Sequence, residues 1–363
     1  MTGFQGFPEQ AEARRLLDAA LAEGPAHAYL FHGPAGVGKR RAAIGFAGEL
    51  LGDPGRVERR AHPDLYVLEP LGDQIRIDAI RELRHDLHMR PFEADRRVYL
   101  IFGAHSLNDE AADALLKDLE EPPPYAVAVL VADDLGQLSE TIRSRCQAVP
   151  FRRLAEKTVR EEIARRAPEL SEEEAASLAR VAGGRLDRVD RLLDPQAARR
   201  REAVLEVARS VYREPGFEPR EASETLMGIA AERAAEAKER AQAENEELAL
   251  TPREKEQRTR RAMRGAEREE VMLCLEELEA WYRDLVVVAA GAESAAAHVD
   301  RLTELREDAT VEQLPGAEAA AETVRETWRL FEELQLQAGL ALEALFVQLR
   351  RALVSSAPAL TGN

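Results

Sequence analysis

Ala28-Tyr29-Leu30-Phe31-His32-Gly33-Pro34-Ala35-Gly36-Val37-Gly38-Lys39-Arg40 is the stretch that decides how the rest of the chain is read. Its first four residues form an unbroken apolar run, the pattern of a strand buried on both faces. Gly33 to Lys39 then matches G-x-x-x-x-G-K, and Lys39 to Leu51 continues with helical periodicity. Strand, glycine-rich turn and helix in this order make a phosphate cradle: backbone N–H groups and the helix N-terminus face an anion, and Lys39 reaches the outer phosphates. Gly33, Gly36, Gly38 and Lys39 are therefore the candidate nucleotide-binding residues.

Outward from this loop, Leu65 to Glu69, Arg97 to Phe102 and Val127 to Ala132 are further apolar strand candidates, separated by helical stretches at Ile77 to His88 and Asp109 to Leu119. The alternation predicts an α/β domain over residues 1–154, a parallel sheet with helices on both faces. Beyond Phe151 the pattern is helical only. Residues 155–195 read as a small helical lid, with a capping box at Ser171 and Glu174 and a glycine pair, Gly183-Gly184, closing the middle helix. Residues 196–354 read as an all-α C-terminal domain, and 355–363 as a flexible tail. Within the third region, 218–270 is dense in Glu, Arg, Lys and Ala. This segment reads as a charged helical insertion, a largely solvated hairpin broken near Thr251-Pro252, with a partner-binding arm as the alternative.

The 363 residues carry a formal charge of −17, which argues against a protein that grips nucleic acid by bulk electrostatics. Cys146 and Cys274 are the only cysteines, too few for a disulfide framework or a four-cysteine metal site. The N-terminus has no basic leader and apolar core, and the apolar runs are too short to span a bilayer. A soluble, cytoplasmic protein without membrane contact is expected.

Around the loop, however, the residues that drive hydrolysis are missing. A Ser or Thr hydroxyl normally follows the lysine to ligate Mg²⁺, and here Arg40 stands there; a guanidinium cannot ligate a cation, and as a vestigial nucleotide-binding residue Arg40 at best pairs with a phosphate. The strand from Arg97 runs into Phe102-Gly103-Ala104-His105 with no carboxylate at its end, and Asp109 follows only in the next helix. His105 reads as a loop histidine rather than a base. Phosphate binding can survive these changes, but productive Mg²⁺ binding is expected to be impaired and intrinsic ATP hydrolysis lost.

Two further motifs carry a family resemblance. Leu115-Leu116-Lys117-Asp118-Leu119-Glu120-Glu121-Pro122-Pro123, followed after a strand by Thr141-Ile142-Arg143-Ser144-Arg145-Cys146, resembles the AAA+ subunits of the bacterial DNA polymerase III clamp loader. The likeness covers residues 1 to about 195, and the remainder by helical character and length. Motor subunits of that family keep a full phosphate loop and an acidic strand end. This chain is similar to a subunit in which these are eroded while Ser-Arg-Cys is kept. The resemblance implies that Arg145, with Ser144 and Cys146 as motif neighbours, is an arginine finger reaching the ATP site of an adjacent motor subunit. It further implies that the helical C-terminal domain is an oligomerisation collar and that Arg188 is the sensor arginine of the lid. The implied partners are the gamma/tau motor subunits and the delta subunit, with the sliding clamp and primed DNA reached through the complex during replication. ATP held without hydrolysis and an empty loop both stay open. Many relatives carry a four-cysteine zinc module after the loop's helix; Gly52 to Asp64 has no cysteine, and His62 alone cannot hold zinc, so no metal is expected. Rival readings are a working gamma/tau-type ATPase, a small-molecule kinase, and a scaffold in which Arg145 has no catalytic role.

Overall fold

The computed structural model describes residues 10–354 except 71–73, 134, 137, 248–250 and 335. The expected tail at 355–363 lies outside the described residues. The chain packs as two compact units, one running up to Glu162 and including Gly184–Arg188, the other made of Ile163–Gly183 and everything from Val189 on. The stretch 155–195, read from the sequence as a separate lid, is thus shared between the two.

The first unit is built on a five-stranded parallel sheet in the order β2-β3-β4-β1-β5. Its strands are β1 (Ala28–His32), β2 (Leu65–Leu68), β3 (Arg97–Phe102), β4 (Ala126–Ala132) and β5 (Gln147–Pro150). Period-two alternation divides the apolar residues between two cores. Tyr29, Phe31, Val98, Leu100 and Phe102 face helices α1 (Ala11–Glu23) and α2 (Lys39–Leu51), which supply Leu17, Ala43 and Phe46. Leu30, Tyr99, Ile101 and Leu130 face α4 (Ile77–Leu87) and α5 (Asp109–Glu120), which supply Ile80, Leu83 and Leu115. A short helix, α3 (Pro54–Glu58), follows α2 and is capped by the Asp53 side chain. The one-turn helix α6 (Glu140–Arg143) precedes the edge strand β5 and buries Ile142 in the second core.

Helices α7 (Glu156–Arg166), α8 (Glu172–Ala182) and α9 (Leu186–Leu193) follow, and the Ser171–Glu174 capping box opens α8. The second unit is helical. Around one core pack α10 (Pro195–Arg213), α11 (Pro219–Glu247), α12 (Pro252–Ala289), α14 (Leu314–Glu333) and α15 (Ala338–Val354), with the short α13 (Leu302–Asp308) beside them. The insertion differs from a solvated hairpin at its base: Ala222, Leu226, Ile229 and Ala230 of α11 belong to the core with Leu275, Trp281 and Phe346. α12 runs unbroken through the expected boundary at 270, so hairpin and core share one 38-residue helix. No described helix is long and apolar enough to cross a membrane.

Candidate functional site

The phosphate loop joins the C-terminal end of β1 to α2, the end of a parallel sheet at which such loops bind ligands. Gly33 and Gly36 are glycines of necessity. Both have positive φ (135° and 72°), and a Cβ on Gly33 would come within 2.1 Å of the Phe151 carbonyl oxygen. Gln10, buried ahead of α1, ties the loop to the chain after β5: its amide donates to the Arg152 carbonyl (2.7 Å) and accepts from the Arg152 N–H (3.0 Å).

Lys39 is 4% exposed. Its ammonium donates to the carbonyls of Gly33 (2.6 Å) and Pro34 and pairs with Asp133 (2.7 Å). An ammonium has three N–H donors, and these three partners engage them all. Burial lowers the Lys39 pKa from its ordinary value, and Asp133 offsets only part of this. The Asp133 N–H in turn donates to Nδ1 of His105 (3.2 Å), which gives the loop histidine a backbone anchoring role. A second carboxylate closes the cradle. The Asp187 Oδ1 lies 1.6 Å from where a Gly36 Cβ would stand, and the Leu186 N–H donates to the Gly36 carbonyl at 2.6 Å. Arg185 holds Asp187 in place through two hydrogen bonds (2.6 and 3.1 Å). The loop's anion-binding surface thus faces this chain's own carboxylates.

At position 40 the guanidinium lies 4.2 Å from the centre of the Phe102 ring and pairs with Glu69, which also takes Arg60 at 2.7 Å. The two positions that would bind Mg²⁺ therefore hold a cation stacked on a phenyl face. No described cluster of three His, Cys, Asp or Glu residues could hold a metal. This arrangement does not fit a Mg²⁺–nucleotide complex, and no hydrolytic step follows from it.

Ser144, Arg145 and Cys146 lie elsewhere, on the turn between α6 and β5. The turn is rigid: Ser139 caps α6, Ile142 is fully buried, and the Ser144 hydroxyl donates to the Thr141 carbonyl at 3.0 Å. The exposed Arg145 donates through Nη1 to that same carbonyl (3.0 Å) and pairs through Nη2 with Glu120, at the end of α5. Burial pushes the Cys146 thiol up to about 12, so it is no nucleophile at neutral pH. Arg188 sits in the first turn of α9, one residue past Asp187. Arg185 and Asp187 of that segment approach Gly36, and the Leu186 N–H bonds to its carbonyl. Asp133, Asp187 and Glu120 were missed in the sequence, where nothing local marks a carboxylate that pairs across 25 residues or more; only the acid pair following β4 was a usable signal.

Residues 9–155 match the family described as DNA polymerase III, delta subunit. The chain is 34% identical over 149 residues to the delta-prime subunit of DNA polymerase III from Bacillus subtilis, a match covering 38% of this chain and 45% of that protein. It is 37% identical over 176 residues to the Pseudomonas aeruginosa delta-prime subunit, covering 44% and 53% respectively. The tau subunit of Bacillus subtilis is 32% identical over 158 residues, covering 40% and 28%. The chain thus spans about half the length of the curated delta-prime relatives it matches. The parallel sheet and the phosphate loop thus lie in a stretch, residues 9–155, that matches the family described as DNA polymerase III, delta subunit, and that is similar to the delta-prime subunits of DNA polymerase III.

Proposed function

We propose that this chain is a non-motor subunit of the DNA polymerase III clamp loader, and that it acts by presenting Arg145 to the ATP site of an adjacent motor subunit. One contrast carries the reading: the chain's own metal-binding positions are replaced by the Arg40–Phe102 stack, while Arg145 stays exposed on a turn anchored in the core. A guanidinium delivered from outside stabilises the charge that develops on a transferred phosphoryl group, an effect of about 10³- to 10⁵-fold in rate. Its planar fork suits two phosphate oxygens at once. Release from Glu120 frees Nη2 for that contact. The partners in this reading are gamma/tau-type motors and the delta subunit, with the clamp and primed DNA engaged through the assembly.

The phosphate loop is then a structural turn. Lys39 is neutralised by Asp133 and Asp187 covers Gly36, so ATP bound to this chain is neither required nor hydrolysed. The test is hydrolysis by the purified chain alone and after mixing with motor subunits, clamp and primed DNA. Turnover only in the mixture is expected; a normal enzymatic rate from the chain alone would make it a motor.

A further inference from the structure

The N-terminal half of α12 carries Arg253, Gln257, Arg260, Arg261, Arg264 and Arg268 within sixteen residues. At 100° per residue these six fall within about a third of the helix circumference. The opposite side meets α11: the buried Asn245 donates to the Lys255 carbonyl (3.1 Å) and to the Thr259 hydroxyl (3.0 Å), and Arg258 pairs with Glu244 (2.9 Å). The arginine face therefore points away from α11, except that Arg268, at its C-terminal end, donates to the Phe331 carbonyl and is taken up within the helical unit. Arg253, Arg260 and Arg264 are exposed. Among the described residues Arg260 pairs with Glu256 of its own turn, both side chains more than 60% exposed, a pair of little net strength. No carboxylate among the described residues pairs with Arg253, Arg261 or Arg264. Glu254, next to Arg253 in sequence, is spent on the Thr251 cap, accepting from its N–H and hydroxyl at 2.7 Å. The positive end of the helix dipole adds to the field at Arg253.

We infer that this face docks the phosphate backbone of a nucleic-acid duplex. Charge complementarity selects a polyanion, since Arg253, Arg261 and Arg264 have no carboxylate partner among the described residues and Arg260 has a solvent-screened one, on a chain of net charge −17. The arginine fork matches phosphate oxygens. Arg253 to Arg264 spans about 16 Å of helix, enough to meet successive phosphates along one strand. No Phe, Tyr or Trp lies between Pro219 and Glu270, so the arm offers no platform on which unpaired bases could stack. The contact is a sequence-independent backbone contact, local enough to coexist with the acidic remainder. It is separate from the Arg145 reading and does not rest on it.

The test is fluorescence anisotropy of the full chain with two labelled 24-base-pair duplexes of unrelated sequence, from low to moderate salt. The comparison is between the unaltered chain and the triple variant Arg253→Gln, Arg260→Gln, Arg264→Gln, with Arg220→Gln as a control for loss of an exposed arginine elsewhere. Glutamine keeps helix propensity, and circular dichroism melts verify that each variant is folded. The expected result is equal binding of both duplexes, weakened about tenfold or more by the triple change. The slope of log affinity against log salt should fall by about 2 to 3 units, and Arg220→Gln should have no effect. Equal binding by the triple variant, or no duplex binding by the unaltered chain, overturns the inference. Binding of poly-L-glutamate in preference to duplex would assign the face to an acidic protein and overturn it too.

Discussion

Position 40 condenses the chemistry of the first unit: a guanidinium occupies the place of a metal-binding hydroxyl and rests on a ring that occupies the place of a carboxylate. Because two metal ligands are gone and Lys39 is engaged by three partners, restoring one residue should not restore an enzyme. Arg40→Thr is expected to leave the purified chain without measurable ATPase activity; a colorimetric phosphate assay decides it. Arg145 poses the complementary question. Arg145→Lys keeps the charge but loses the fork, so in a reconstituted assembly it should fail to replace arginine in stimulated ATP hydrolysis. Glu120→Gln removes an ion pair whose side chains are 31% and 48% exposed, and it should change stability by less than about 1 kcal/mol in urea melts. The residues read directly from the sequence, Lys39, Arg40 and Arg145, have motif positions. Their partners Asp133, Asp187, Glu69 and Glu120 do not, because the pairing is made by the fold.

Among the elements, the loop between β1 and α2 shows how backbone proximity dictates residue type. Gly33→Ala drives a Cβ into the main-chain carbonyl oxygen of Phe151, and should cost roughly 3 kcal/mol or more in equilibrium unfolding. Gly24→Ala, also at positive φ but with nothing within 4 Å, should cost only about 1 to 2 kcal/mol. In the helical unit the turn before α13 is pinned by His298, 1% exposed, whose Nδ1 meets Asp284 (2.9 Å) and whose Nε2 meets Glu277 (3.1 Å). Burial alone would lower the imidazole's pKa, and Arg201 nearby opposes its charge. The bonds to Asp284 and Glu277 outweigh both and raise it. A raised histidine pKa stabilises fully below the unfolded value of about 6.5, and the contribution is lost as pH rises through the folded value. Asp284 works at the acid end: burial raises its pKa, but bonds from His298 and Ala297 hold it below the ordinary value. Its contribution is present above about 4 and lost as pH falls through its folded value. Thermal melts should therefore show the melting temperature declining on the alkaline side of about pH 6.5. In His298→Gln that decline should be smaller, at an overall cost of roughly 3 to 5 kcal/mol. Strands β1, β3 and β4 were legible as continuous apolar runs. β5, Gln147-Ala148-Val149-Pro150, was not, because an edge strand with two exposed residues and a proline carries no such run. The base of α11 was misjudged for a related reason, its core contacts being alanines and single Leu and Ile residues scattered among charges.

At the scale of the whole molecule, the division of labour follows from what each unit keeps. The sheet unit keeps the architecture of a nucleotide-binding domain, and its own carboxylates fill the cradle. The helical unit has a continuous core and one long charged hairpin. Alternation of strand and helix made the first unit readable, and helical periodicity the second. Their exact partition was not, since the short segment Gly184–Arg188 joins the first unit from within an otherwise helical stretch. In the proposed role this chain completes a neighbour's active site rather than its own. That role is tested most directly by single-turnover ATP hydrolysis in the assembly reconstituted with motor subunits, comparing Arg145→Ala with Lys39→Met after verifying that both variants assemble. Arg145→Ala is expected to slow hydrolysis at one site on the order of 10³-fold while Lys39→Met leaves the rate unchanged. Loss of hydrolysis with Lys39→Met and none with Arg145→Ala would contradict it.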